Sequence, residues 1–102
     1  MSTTHSALSF EDLRIGHRWV SDSRTITLED ITQFADLTGD RDRLHVDPEF
    51  ASRGPFGKPI AHGMLGMSIL AGLSSTAPHV KTAALVDIRS WNFLKPLFPG
   101  DS

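Results

Sequence analysis

A single α+β domain is what this sequence predicts, and three stretches predict it. Leu28, Ile31, Phe34 and Ala35 recur at the three-and-four spacing of an amphipathic helix. Residues 63–74, GMLGMSILAGLS, are apolar on nearly every side, as a buried helix is, and residues 83–93, AALVDIRSWNF, alternate with the period of two expected of a half-buried strand. At 102 residues the chain holds one domain, 1–102, with a real core but little margin of stability.

Composition narrows the function classes. The formal charge is −2, and the Lys and Arg residues are scattered rather than gathered on one face, so no nucleic-acid or anionic-membrane partner is expected. Without cysteine there is neither a disulfide framework nor a thiolate metal site. Met1 to Ser9 lack the charged and apolar regions of a secretory signal, and no apolar run approaches a membrane span, so a cytoplasmic location is expected. The first residues are expected to be mobile.

In chain order, Leu8, Phe10 and Leu13 surround Glu11 and Asp12, and Gly16 ends that segment. Residues 18–26, RWVSDSRTI, read as a strand of uneven alternation. Thr27 followed by Asp30 is a capping box with Asp in place of Glu or Gln, so a helix is placed over 28–38, with Gly39 as its left-handed terminator. Residues 41–46 are too charged for a strand interior, and the stretch 40–59 is read as a long structured loop with one helical turn or two. Asp47-Pro48-Glu49 starts a short second helix that Arg53-Gly54-Pro55 breaks. Gly57-Lys58-Pro59 turns the chain into the apolar helix, whose Gly63, Gly66 and Gly72 imply close approach by other groups. After a Ser/Thr/Pro turn comes the strand at 83–93. Pro96 then places Leu94 to Phe98 at an edge or bulge, and Pro99-Gly100-Asp101 forms a turn. Two or three strands cannot cover an all-round apolar helix, so the chain is expected to be a fragment or to complete its sheet with a partner.

Chemistry concentrates between Asp40 and Met64. Asp40 follows a sharp helix exit, His45 lies five residues on, and the helix beginning near Gly63 offers unpaired backbone N–H groups. A carboxylate and an imidazole that meet on one small molecule beside an apolar helix suit an apolar substrate carrying a carbonyl. Taken alone, Asp40 is a turn residue and His45 a hydrogen-bonded loop residue; the two motifs together favour function. His62 is read as a packing residue at the helix start rather than a catalyst. The spacing of His45, Asp47 and His62 matches no dedicated ligand pattern, so no metal is expected. Arg41 and Arg43 are read as solvated.

The run FADLTGD (34–40), followed by Leu44-His45 and by IAHGM (60–64), resembles the MaoC-like dehydratases, also called (R)-specific enoyl-CoA hydratases, and the resemblance extends from about Phe10 to Ser102. It implies a hotdog fold, an antiparallel sheet wrapped around one long central helix and paired as a dimer through the sheet, incomplete here by about the last third. It implies hydration of trans-2-enoyl thioesters of CoA or acyl carrier protein, or the reverse dehydration, with no cofactor beyond the thioester. On the motif, Asp40 and His45 fall on the catalytic pair and Gly63 on the residue whose N–H faces the thioester oxygen; which of the pair is acid and which base is left open. Where the family favours Asn-Pro between the pair, this chain has Asp42-Arg43. A non-catalytic acyl-thioester-binding or scaffolding hotdog subunit and a hotdog thioesterase are the alternatives.

Overall fold

Three of the helices in this chain start where a side chain accepts one of the first free N–H groups. The computed structural model describes residues 7–102, so the mobile start expected of Met1 to Ser6 lies outside the described residues. After a single 3-10 turn at Phe10–Asp12, the first helix, α1, spans Leu28–Thr38. Thr27 Oγ1 accepts the Asp30 N–H at 3.0 Å and the Asp30 carboxylate accepts the Thr27 N–H at 2.9 Å, which completes the expected box. Gly39 ends the helix at φ 83°, its N–H on Ala35 O at 2.8 Å.

Two short helices follow. The first, α2 (Arg43–Val46), is a helical turn within the stretch read as structured loop. Its charge excludes a strand but not a helical turn, because Asp42 caps the Leu44 N–H at 2.9 Å and Arg43 pairs with Asp47 at 3.3 Å, one turn on. Asp47 closes α2 and caps the next helix, α3 (Pro48–Ser52), by accepting the Phe50 N–H at 3.2 Å. The last helix, α4, spans Gly63–Leu73.

The expected sheet is where sequence and structure part. Among the described residues there is no strand: 18–26 and 83–93 form no ladder, and isolated bridges join Leu8 to Val80 and Thr76 to His79. A period-two pattern marks a chain able to pair; pairing itself needs a neighbour whose N–H and C=O groups face it. Ile26 finds one near the C-terminus, its N–H on Asp101 O at 2.8 Å and its carbonyl receiving the Gly100 N–H at 2.7 Å. Among the described residues, 81–94 find none, and they are exposed throughout.

The same lack of cover decides what α4 buries. The sequence pattern put apolar residues on all its faces, yet of that helix only Leu65 is fully buried, while Met64 and Leu70 stand 57% and 48% exposed. Leu65 joins Ile26, Ile31 and Ala61 in the core, with Phe34, Ile69 and Leu97 packed on it. Ala61 N–H donates to Leu97 O at 2.7 Å, tying the approach to α4 to the C-terminal segment. That segment explains two of the three glycines: a Cβ on Gly63 would come within 2.7 Å of the Phe93 ring, and one on Gly66 within 3.4 Å of Leu97. Gly72 faces open space. No helix among the described residues is long and apolar enough to cross a membrane.

Thr27→Ala removes the α1 cap and should cost about 1 kcal/mol, a drop of several degrees in Tm for a domain of this size. The N–H of Thr27 on Asp30, and that of Phe50 on Asp47, hold both carboxyls below the usual carboxylate range. The folded state therefore binds fewer protons at these two sites than the unfolded chain. Their stabilisation is present above the ordinary carboxylate pKa and is lost as pH falls through their lowered values, below about pH 4. Helical circular dichroism should fall over that acid range, and Asp30→Asn should weaken the dependence.

Candidate active site

The site begins at the exit from α1. Gly39 reverses the chain, and Asp40 follows with its side chain exposed and two weak local bonds: its backbone N–H donates to Thr38 Oγ1 at 3.3 Å, and its carboxylate accepts the Asp42 N–H at 3.4 Å. The Asp42 carboxylate is engaged in capping α2, which carries His45. His45 Nδ1 lies 2.7 Å from the Ile60 carbonyl. A carbonyl only accepts, so Nδ1 bears the proton, and in the neutral ring Nε2 is a free acceptor.

His62 is the N-cap residue of α4 and is 4% exposed. Its Nε2–H donates to the Asp40 carbonyl at 2.9 Å. Its ring stacks on His45 with centroids 4.0 Å apart and planes 26° from parallel, and meets Phe34 at 4.9 Å. One ligand atom from each of Asp40, His45 and His62 lies within 4.8 Å of the others. A single water making hydrogen bonds of ~2.8 Å reaches groups roughly 4.6 Å apart, so this spacing matches a shared water.

The start of α4 supplies donors. His62 provides no side-chain cap, and its carbonyl receives the N–H groups of Leu65 at 3.0 Å and Gly66 at 3.3 Å. The N–H groups of Gly63 and Met64 precede the first intrahelical bond and stand at the positive end of the helix. Beside them opens a cavity of about 820 Å³, of a size that takes a small organic ligand, whose walls include His45, His62, Gly63, Met67, Trp91 and Phe93. Asp40 lies outside that lining.

The geometry thus brings the Asp40 and His45 side chains into one cluster and puts His45 and Gly63 on one cavity. It adds His62, which the sequence reading left as packing: the residue is packed, and it is also bonded to Asp40 and stacked on His45. Its place between the chemistry-bearing loop and a helix start was the available signal. The contribution of 91–97 to the cavity was not legible, since that run was read as strand and edge.

Asp40, His45 and His62 are also the residues a metal ion would use. Each imidazole already commits one N–H to a carbonyl, and stacked rings keep their remaining lone pairs in nearly parallel planes. Tetrahedral zinc wants ligand atoms converging from different directions at ~3.3 Å from one another, so the fit is poor.

Comparison with known proteins agrees in both sequence and backbone. The family model for the MaoC like domain matches residues 13–102. The chain is 48% identical over 65 residues to a 3-hydroxyacyl-thioester dehydratase Z of Mycobacterium tuberculosis, covering 64% of this chain and 43% of that protein. It is 34% identical over 94 residues to the 3-hydroxybutyryl-CoA dehydratase of Methylorubrum extorquens, covering 92% of this chain and 59% of the relative. The chain therefore spans about half the length of these relatives. The solved (R)-hydratase from A. caviae superimposes with a TM-score of 0.76 at 32% identity, over 88% of this chain and 67% of that one. The backbone likeness is to the R-hydratase hotdog proteins, even though the sheet is undeveloped here. Matched from residue 13 to its last residue, the chain belongs to the MaoC-like domain family.

Proposed function

We propose that this chain adds water to, or removes it from, a trans-2-enoyl thioester, with Asp40 and His45 as the catalytic pair and the Gly63 N–H as the oxyanion donor. The observation that carries this reading is the cluster itself: ligand atoms of Asp40 and His45 within 4.8 Å of one another, beside a cavity to which Gly63 contributes. The relatives named for dehydration of hydroxyacyl thioesters support the reaction class.

The residues divide the work as follows. Water held between the pair attacks C3 while one of its protons passes to His45 Nε2, the nitrogen left free by the bond from Nδ1 to Ile60. The displaced π electrons move onto C2 and the thioester oxygen, where the Gly63 N–H receives the growing negative charge without having to reorganise. The proton taken from water is returned to C2, so water supplies both groups of the product and the protein is unchanged. Asp40 accepts a hydrogen bond from the water's other O–H, which stays intact and becomes the C3 hydroxyl, and its charge offsets that of the imidazolium. Dehydration retraces these steps.

The substrate is an acyl thioester of CoA or of acyl carrier protein, its apolar part lying against Phe56, Met64 and Met67, which share the cavity lining. No further cofactor enters. A second copy, or another hotdog chain, would cover the exposed apolar run containing Leu85, Val86, Phe93 and Leu94.

Incubation of the full chain with crotonyl-CoA should remove the enoyl-thioester absorbance, and (R)-3-hydroxybutyryl-CoA should regenerate it. Asp40→Asn and His45→Gln should each lower kcat by ~10²–10⁴-fold. Unchanged rates in either variant would take that residue out of the mechanism. Tight thioester binding without turnover by the folded wild type would point to a binding subunit, and release of free CoA thiol to a thioesterase.

A further inference from the structure

We infer that His62 is a positioning residue for the catalytic pair, fixing the Asp40 peptide through its Nε2–H and the His45 imidazole through its ring face. This inference rests on the reading of Asp40 and His45 given above and assigns a role to a third side chain, one that acts through those two.

The orphaned nitrogen is the starting point. Among the described residues His62 is the one polar or charged side chain buried to this degree, 4% exposed, and its Nδ1 is buried without a hydrogen-bond partner. With Nε2 donating to a carbonyl, Nδ1 of the neutral ring is a bare acceptor shut away from water, an unfavourable state for a polar atom. A phenylalanine would fill the same space against Phe34 and His45 without that penalty. The imidazole therefore carries something a phenyl ring lacks, and the candidate is the N–H on Asp40.

Asp40 needs that bond. Its side chain is exposed, and its remaining polar contacts, at 3.3 and 3.4 Å, are long. The 2.9 Å bond from His62 is the short one, and it spans 22 residues, so it fixes the loop against α4 rather than against itself. His45 is fixed reciprocally: its Nδ1–H binds Ile60, two residues before His62, while its ring lies on the His62 ring. Two imidazole-to-carbonyl bonds thus cross between the same two segments in opposite directions. Loss of the His62 N–H frees Asp40 while leaving the cavity and the Gly63 N–H in place, so the effect falls on turnover rather than on substrate binding.

Two substitutions separate the N–H from the ring. His62→Phe keeps the aromatic face and removes the donor; His62→Gln keeps a donor and removes the aromatic face. With crotonyl-CoA, His62→Phe should lower kcat by roughly 10–100-fold, as displacements of ~1 Å do, with KM within about threefold and Tm unchanged or raised. His62→Gln should restore part of that kcat despite its poorer packing. A wild-type kcat in His62→Phe, or losses in both variants that follow Tm and the folded fraction, would overturn the inference.

A second measurement stands apart from turnover, so that failure of the hydratase reading is distinguishable. In the ¹⁵N-labelled chain, long-range ring spectra should show His62 protonated at Nε2 and His45 at Nδ1. His62→Phe should shift the Asp40 and Arg41 amides and the His45 ring signals. Opposite tautomers, or unmoved Asp40 and His45 signals, would sink the positioning role even if the wild type were active. Inactive wild type with the expected spectra would sink the hydratase reading and leave the clamp standing.

Discussion

Two hydrogen bonds from imidazole to backbone carbonyl hold the working part of this molecule together: His45 to Ile60 and His62 to Asp40. Each joins the loop after α1 to the segment that leads into α4. These segments come from distant parts of the chain, and neither has a sheet to rest on, so side chains do what a ladder would do elsewhere. The Ile60 N–H to Leu44 O contact, at 3.4 Å, is long by comparison. Stacking of the two rings adds apolar contact between the same segments.

The tautomers follow from those bonds, and the proposed chemistry follows from the tautomers. A histidine that donates from Nδ1 presents Nε2 as an acceptor; one that donates from Nε2 presents Nδ1. His45 and His62 are set in opposite senses, which gives two neighbouring imidazoles different work. His45 contributes to the cavity wall and has a nitrogen available to a substrate or water. His62 turns its available nitrogen into the protein, where nothing meets it. Asp42, the extra carboxylate between the pair, is used as the cap of α2, accepting the Leu44 N–H.

Burial in this chain is thin, and the reason is the unpaired extended chain. Residues 81–94 carry Leu85, Val86, Ile88, Trp91, Phe93 and Leu94 in an exposed run, while α4 leaves Met64 and Leu70 open. A strand pattern and an apolar helix each describe half of a contact; the energy comes only when a second surface is removed from water with the first. The core that does form, Ile26, Ile31, Ala61 and Leu65, lies where α1, the start of α4 and the C-terminal turn meet. The site sits beside it, so its geometry is anchored even though the sheet side is open.

Local chemistry was legible without the fold. Thr27 and Asp30 announce α1, Gly39 its end, and Asp47-Pro48 the start of α3, because each signal depends on groups within a few residues. The position of the helical turn at 43–46 was not given, because charge there was weighed against a strand and not for a cap by Asp42. Asp40, His45 and Gly63 could be singled out by residue type and motif. What only the tertiary structure decided was distance and direction: that ligand atoms of Asp40 and His45 come within 4.8 Å of one another, that Phe93 crosses Gly63, and that His62 binds Asp40 rather than merely packing. Those depend on contacts between residues far apart in the chain, and a sequence states which groups are available to bond without stating which of them will face each other.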